Sequence, residues 1–108
     1  MSEAGGPQTR LNFDTSVLYW RGPSPFFFAP IPQEHVTTLA RLARAVTYGW
    51  GMIPVEASIG GARFATSLFP KDGGYLLPLK DAVRRKTGVT AGDRIAVELI
   101  VQAGERAR

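Results

Sequence analysis

Residues 52–68 read MIPVEASIGGARFATSL. Two alternating runs, Met52 to Ile59 and Ala62 to Leu68, flank Gly60-Gly61, a pair able to take the positive φ angles that tight two-residue hairpin turns require. Counting away from that turn sets the register. Ile59, Ala57, Val55 and Ile53 fall opposite Ala62, Phe64, Thr66 and Leu68 on one face, and Glu56, Ser58, Arg63 and Ser67 point to the other. Side chains alternate strictly along a strand, so this one hairpin states which face is core.

Downstream, Pro70 to Gly74 predicts a turn and Tyr75 to Leu77 a short strand. Leu79 to Thr87 predicts a helix that opens after Pro78 and closes at Gly88, with Val89 set to fold back on Val83. Ala91, Gly92 and Asp93 then turn the chain into a last strand, Arg94 to Val101, with Ile95, Val97, Leu99 and Val101 on one face. Upstream, Leu11 to Trp20 reads as one half-buried strand with Leu11, Phe13, Val17 and Tyr19 inward and Asn12, Asp14 and Ser16 outward. Phe26 to Ala29 is apolar on both faces and reads as a deeply buried strand, with sugar or base stacking by Phe26, Phe27 and Phe28 as the alternative. After Pro32, the spacing of Val36, Leu39, Ala40, Ala43 and Val46 predicts a helix ended by Gly49, with Glu34 near its start and Arg41 and Arg44 near its end.

The chain also echoes itself. Ile31-Pro32-Gln33-Glu34 opens the first helix and Ile53-Pro54-Val55-Glu56 follows it; Leu77-Pro78-Leu79-Lys80 opens the second and Ile95-Ala96-Val97-Glu98 follows. The halves read as degenerate strand–helix–strand copies, although a shared local rule, proline at a helix start, produces the same pattern.

At 108 residues, with 44% hydrophobic and 20% charged side chains, the chain is sized for one packed domain. The expected layout is a loose tail over residues 1–10, a single domain over 11–102 and a polar tail over 103–108. Residues 1–10 carry no apolar stretch of a secretory signal, and the apolar run Pro25 to Pro32 holds three prolines and is far shorter than the ~20 residues of a membrane span. The expected location is therefore cytoplasmic. The net charge is +4. Lys80 to Lys86, KDAVRRK, supplies four cations and one anion, so the basic character is local.

There are no cysteines and one histidine. Disulfides, thiolate zinc sites, iron–sulfur clusters and cysteine nucleophiles are thereby excluded. His35 sits in the first turn of a helix and reads as a surface residue. No H-x-x-x-H, H-E-x-x-H or D-x-D spacing marks a metal site, and no G-x-S-x-G or S-x-x-K marks a serine nucleophile. Gly49-Trp50-Gly51 and Gly60-Gly61 lack the lysine and hydroxyl of a phosphate loop. Catalytic residues, cofactor and metal are each expected to be absent. Lys80, Arg84, Arg85 and Lys86, with Arg63 on a polar strand face, are the candidate contacts for an anion or nucleic acid; a solvated helix face is the competing reading.

The run from Ile53 to Leu99, with G-G-x-x-F-x-T-S-L-F-P ending at Pro70, then Y-L-L-P-L and V-R-R-x-x-G, closely resembles the bacterial domain-of-unknown-function family 1905. Fainter likeness reaches upstream through Phe13, Phe28 and Pro32. Phe64 stands where the family usually has tryptophan. The resemblance implies a double-split β-barrel, a closed six-stranded pseudobarrel with two helices similar to AbrB- and MazE-type transcription factors. Those factors build the barrel from two swapped chains, whereas here one chain resembles both halves.

The fold expected is thus mainly β with two helices, an α+β six-stranded double-split pseudobarrel with an internal pseudo-twofold repeat; a small OB- or SH3-like barrel is the alternative. The function expected is a non-catalytic binding or accessory module, acting as a monomer, whose ligand the sequence does not name, another protein being one candidate. Weak nucleic-acid binding is the alternative and an enzyme with an unsignalled site the third.

Overall fold

Ile53, Val55, Ala57 and Ile59 stand opposite Leu68, Thr66, Phe64 and Ala62, the register counted from Gly60-Gly61. Both glycines take positive φ, 54° and 87°, the pair of left-handed conformations a type I′ turn demands. The computed structural model describes residues 8–22, 26–46 and 51–102. Seven strands and two helices follow in chain order: β1 (Gln8–Ser16), β2 (Leu18–Trp20), β3 (Phe26–Pro30), α1 (Gln33–Val46), β4 (Ile53–Ile59), β5 (Ala62–Lys71), β6 (Gly74–Leu79), α2 (Asp81–Thr87) and β7 (Arg94–Gln102).

All pairings are antiparallel, in the order β1-β7-β4-β5-β6-β3-β2. The ten-residue β5 divides this curled sheet into two leaves. Its first seven residues pair with β4, and Phe69, Pro70 and Lys71 pair with β6. The first leaf is β1-β7-β4-β5 and the second is β5-β6-β3-β2. The two ends of the order, β1 and β2, are neighbours in sequence, separated by Val17 alone.

Seven strands replace the expected six because Leu11 to Trp20 is not one strand. Residues up to Ser16 bond to β7, whereas Leu18 to Trp20 bond to β3. Val17 makes the switch: its N–H donates to Asp93 O (2.9 Å), its carbonyl accepts from Gly92 N–H (2.8 Å), and its side chain is buried. The strand also begins at Gln8, ahead of the expected boundary at residue 11.

The core lies inside the curl. Ile53, Leu68, Leu77, Leu79, Leu99 and Val101 are fully covered, and α1 adds Val36 and Leu39 from outside the sheet, packing on β4 and β6. Ala40, expected on the buried face of α1, is exposed. The side chains of Arg44 and Val46 and the expected stop at Gly49 lie outside the described residues. Thr15 is the one buried polar residue among those described, and its hydroxyl donates to Pro30 O (2.6 Å), tying β1 to β3.

The turn expected over Pro70 to Gly74 is tighter than its composition suggests. Asp72 and Gly73 form it alone, at φ 51° and 79°, with Pro70 and Lys71 still in β5. Pro70 is tolerated because β5 is an edge of the second leaf there, where a missing N–H breaks no ladder. α2 runs from Asp81 to Thr87 and ends as expected at Gly88, which takes φ 74° and donates its N–H to Arg84 O.

Phe64, expected to be buried, is half-buried and packs against the rim of the core. Leu68→Ala should cost about 2–5 kcal/mol, as for other fully covered leucines, and Phe64→Ala should cost less despite removing a larger side chain. Urea denaturation of both variants checks this order.

Candidate functional site

The candidate site follows from the parity of the second leaf. Tyr19, Phe27, Ala29, Leu77 and Leu79 share the face that turns toward the core. Leu18 stands opposite Phe28, Trp20 opposite Phe26, and Pro30 opposite Leu76, which in turn faces Phe69. These residues share the other, outward face, and none of them is polar. Antiparallel sheets usually keep one face polar for water. The first leaf obeys that rule: outward-facing Asn12, Asp14, Arg63, Glu56 and Glu98 carry hydrogen-bonding groups, and Arg10 pairs with Glu98 across the β1–β7 ladder.

On the second leaf the outward face holds a cavity of about 500 Å³. Phe28 and Leu76, on the two central strands, form its floor; Leu18 and Trp20 stand on one edge strand, and Phe69, Pro70 and Lys71 on the other, with Asp72 in the turn beyond. Phe28 sits edge-on to Phe69 (5.1 Å between ring centres) and tilted against Phe26 (5.2 Å). Among the described residues, the large apolar side chains left exposed are Leu18, Tyr19 and Trp20, at 49%, 43% and 53%. They are the whole of β2. Gly22 explains how the indole lies: a Cβ there would stand 2.7 Å from the Trp20 ring, so glycine lets the ring rest on the backbone. The charged groups at the mouth are Lys71 and Asp72, 3.8 Å apart and both well exposed. The volume is within the range of ligand pockets, and the lining is apolar with few polar groups, which suits binding by burial.

The candidate contacts named from sequence are differently disposed. Lys80, Arg85 and Lys86 are exposed on or beside α2, and Arg63 is exposed on β5 in the first leaf. Arg84 is not free. Its guanidinium lies 3.6 Å from the centre of the Phe27 ring, it pairs loosely with Asp81 (3.7 Å), and its side chain is only 27% exposed. The Phe27 ring, expected in the deep core, is half-buried and stacks between Arg84 and Tyr19 (4.7 Å). His35 departs from its surface reading, being 20% exposed and tilted against Phe13 at 5.6 Å. It does not line the cavity of the second leaf, and among the described residues no group of three His, Asp or Glu is placed to hold a metal. No helix among them is long and apolar enough to cross a membrane.

Leu18 and Trp20 were not singled out by sequence reasoning, but a signal was there. They continue the outward parity of Asn12, Asp14 and Ser16, so the outward face turns from polar to apolar at Leu18. The same switch occurs at Phe69, after Arg63, Ala65 and Ser67.

A family model described as Domain of unknown function (DUF1905) matches residues 13–99, which take in both leaves and both helices. No curated protein matches the chain.

If Arg84 is a packing residue, Arg84→Ala should cost about 1 kcal/mol through the lost cation–π contact, while Arg85→Ala should change stability by less than ~0.5 kcal/mol. Thermal melts of the two variants make the comparison.

Proposed function

The chain belongs to the DUF1905 family, which has no assigned function, and on that premise we propose that it is a non-catalytic protein-binding module whose binding surface is the outward face of the second leaf. The observation that carries this reading is that Leu18 and Trp20, two of the three large apolar residues left exposed among those described, share the outward face of β2 and stand beside the cavity floored by Phe28 and Leu76. A folded chain that left them in water would forgo burial worth about 1.5–3 kcal/mol for each large side chain.

We further infer that the curled sheet is a double-split barrel with a pseudo-twofold repeat, as the family resemblance implies. The sequence echo equates Ile53 with Ile95, and these pair with Leu68 and Thr15. It equates Pro32 with Pro78, hence Phe28 with Gly74, and these pair with Leu18 and Lys71. Thr15 and Leu18 therefore correspond to Leu68 and Lys71, three residues apart in both copies, and two separate ladders support one repeat. Likeness to DNA-binding barrels carries no activity of its own. Where the second half offers Lys80, the first offers Glu34, so the basic charge is not repeated.

The test of the binding reading uses an apolar fluorescent probe, anilinonaphthalene sulfonate, on dilute protein. Wild type should take up the probe in its folded state. A Leu18→Ser/Trp20→Ser variant should keep its cooperative melt and lose most of that uptake; loss of the fold instead would make these residues structural.

Nucleic-acid binding is the second reading, favoured by the exposure of Lys80, Arg85 and Lys86 around one short helix, with Arg63 as an additional contact. With Arg84 held on Phe27, these four cations supply at most four phosphate contacts, so log affinity for duplex DNA should fall against log salt with a slope of at most about 3.6. Titration of random duplexes at several salt concentrations measures it. A much steeper slope would place the function on the basic side of the molecule.

A further inference from the structure

The outward face of the second leaf carries a projecting edge and a hollow side by side. Leu18 and Trp20 project from β2, and the hollow lies between them and Phe69 to Asp72. A closed twofold contact requires this arrangement, because the same patch must present both what enters and what receives. The rim is self-complementary in charge too. Lys71 and Asp72 are adjacent, of opposite sign, and exposed. A rim of one sign would repel its own copy; this one lets each Lys71 meet the other copy's Asp72.

We propose that this face is covered by a second copy of the chain, the two second leaves packing face to face about a twofold axis, with Trp20 of each copy entering the hollow of the other and Lys71 paired with Asp72 across the rim. The proposal rests on the reading of this face as a binding surface and names its partner. The monomer expected from sequence concerned strand edges, which the curl of one chain accounts for; an apolar sheet face is a separate demand, and packed sheets meet it at about 10 Å separation.

The size of the face sets the strength. The leaf offers three residues from β2, five from β3, six from β6 and three from β5, and at about 4.8 Å by 3.3 Å per residue these make a patch of roughly 270 Å² per copy. A pair then covers roughly 540 Å² in projection, below the size of standard specific interfaces, so the dimer should be weak and dissociate at high-micromolar concentrations or above.

Sedimentation equilibrium of the full chain over a wide concentration range is the experiment. Wild type should show a reversible monomer–dimer equilibrium, and Trp20→Ser should weaken it by about tenfold or more. Gly22→Ala, which displaces the indole without removing it, should weaken it as well. Lys71→Asp and Asp72→Lys, both at exposed positions, should each abolish self-association by giving the rim a single sign, and an equimolar mixture of these two variants should associate again as a mixed dimer. Circular dichroism melts establish that each variant is folded. Wild type that stays monomeric at every concentration, or single-sign variants whose mixture does not associate, overturns the proposal. If that monomer still takes up the fluorescent probe through Leu18 and Trp20, the binding surface stands and its partner is another molecule; if it does not, both readings fall.

Discussion

Val17 is the residue on which the architecture turns. A seven-stranded antiparallel ribbon has two open edges, and here those edges are consecutive segments of chain, β1 and β2, separated by that single valine. Its backbone N–H and carbonyl, which no ladder claims, bond instead to Asp93 and Gly92 in the turn before β7. A buried peptide group left unpaired costs about 1–3 kcal/mol, so the two bonds are what permits the strand to leave one leaf and join the other inside the core. The Thr15 hydroxyl on Pro30 O reinforces the same seam from two residues upstream.

The second leaf is accordingly held between two apolar environments of different kinds. Its inner face continues the core through Ala29, Leu77 and Leu79 and finishes at the edge of the molecule with Tyr19, Phe27 and the Arg84 guanidinium. There the cation spreads over an aromatic face, using its charge for packing rather than for a soluble ligand. Its outer face carries Leu18, Trp20, Phe28 and Phe69 around a hollow. Chemical character is thus divided between the leaves, polar outside on the first and apolar outside on the second. The proposed binding by burial uses the second.

The hairpin from Ile53 to Leu68 was legible residue by residue, because alternation and a two-glycine turn are local properties that a strand cannot satisfy in another register. The same holds for Gly88 at the end of α2 and for the inward row of Ile95, Val97, Leu99 and Val101. Leu11 to Trp20 was read correctly in parity and wrongly as one strand. Nothing in its alternation records that the partner changes from β7 to β3 at Val17, since exchanging one ladder for another leaves the period of two intact.

The candidate site divides in the same way. That Leu18, Trp20, Phe28 and Phe69 are apolar and that Lys71 and Asp72 are oppositely charged are matters of sequence, and so is the four-cation run from Lys80 to Lys86. Their grouping is not: Leu18 and Phe69 are far apart along the chain and meet across one face only because β2 and β5 are the two edges of a four-stranded leaf. Exposure is equally non-local. An aromatic residue buries itself wherever the fold supplies a neighbour, so its type alone does not say whether it will be core like Phe13, a platform for Arg84 like Phe27, or surface like Trp20. That outcome depends on which element lies above it, and over the outer face of the second leaf this chain leaves Trp20 half in water.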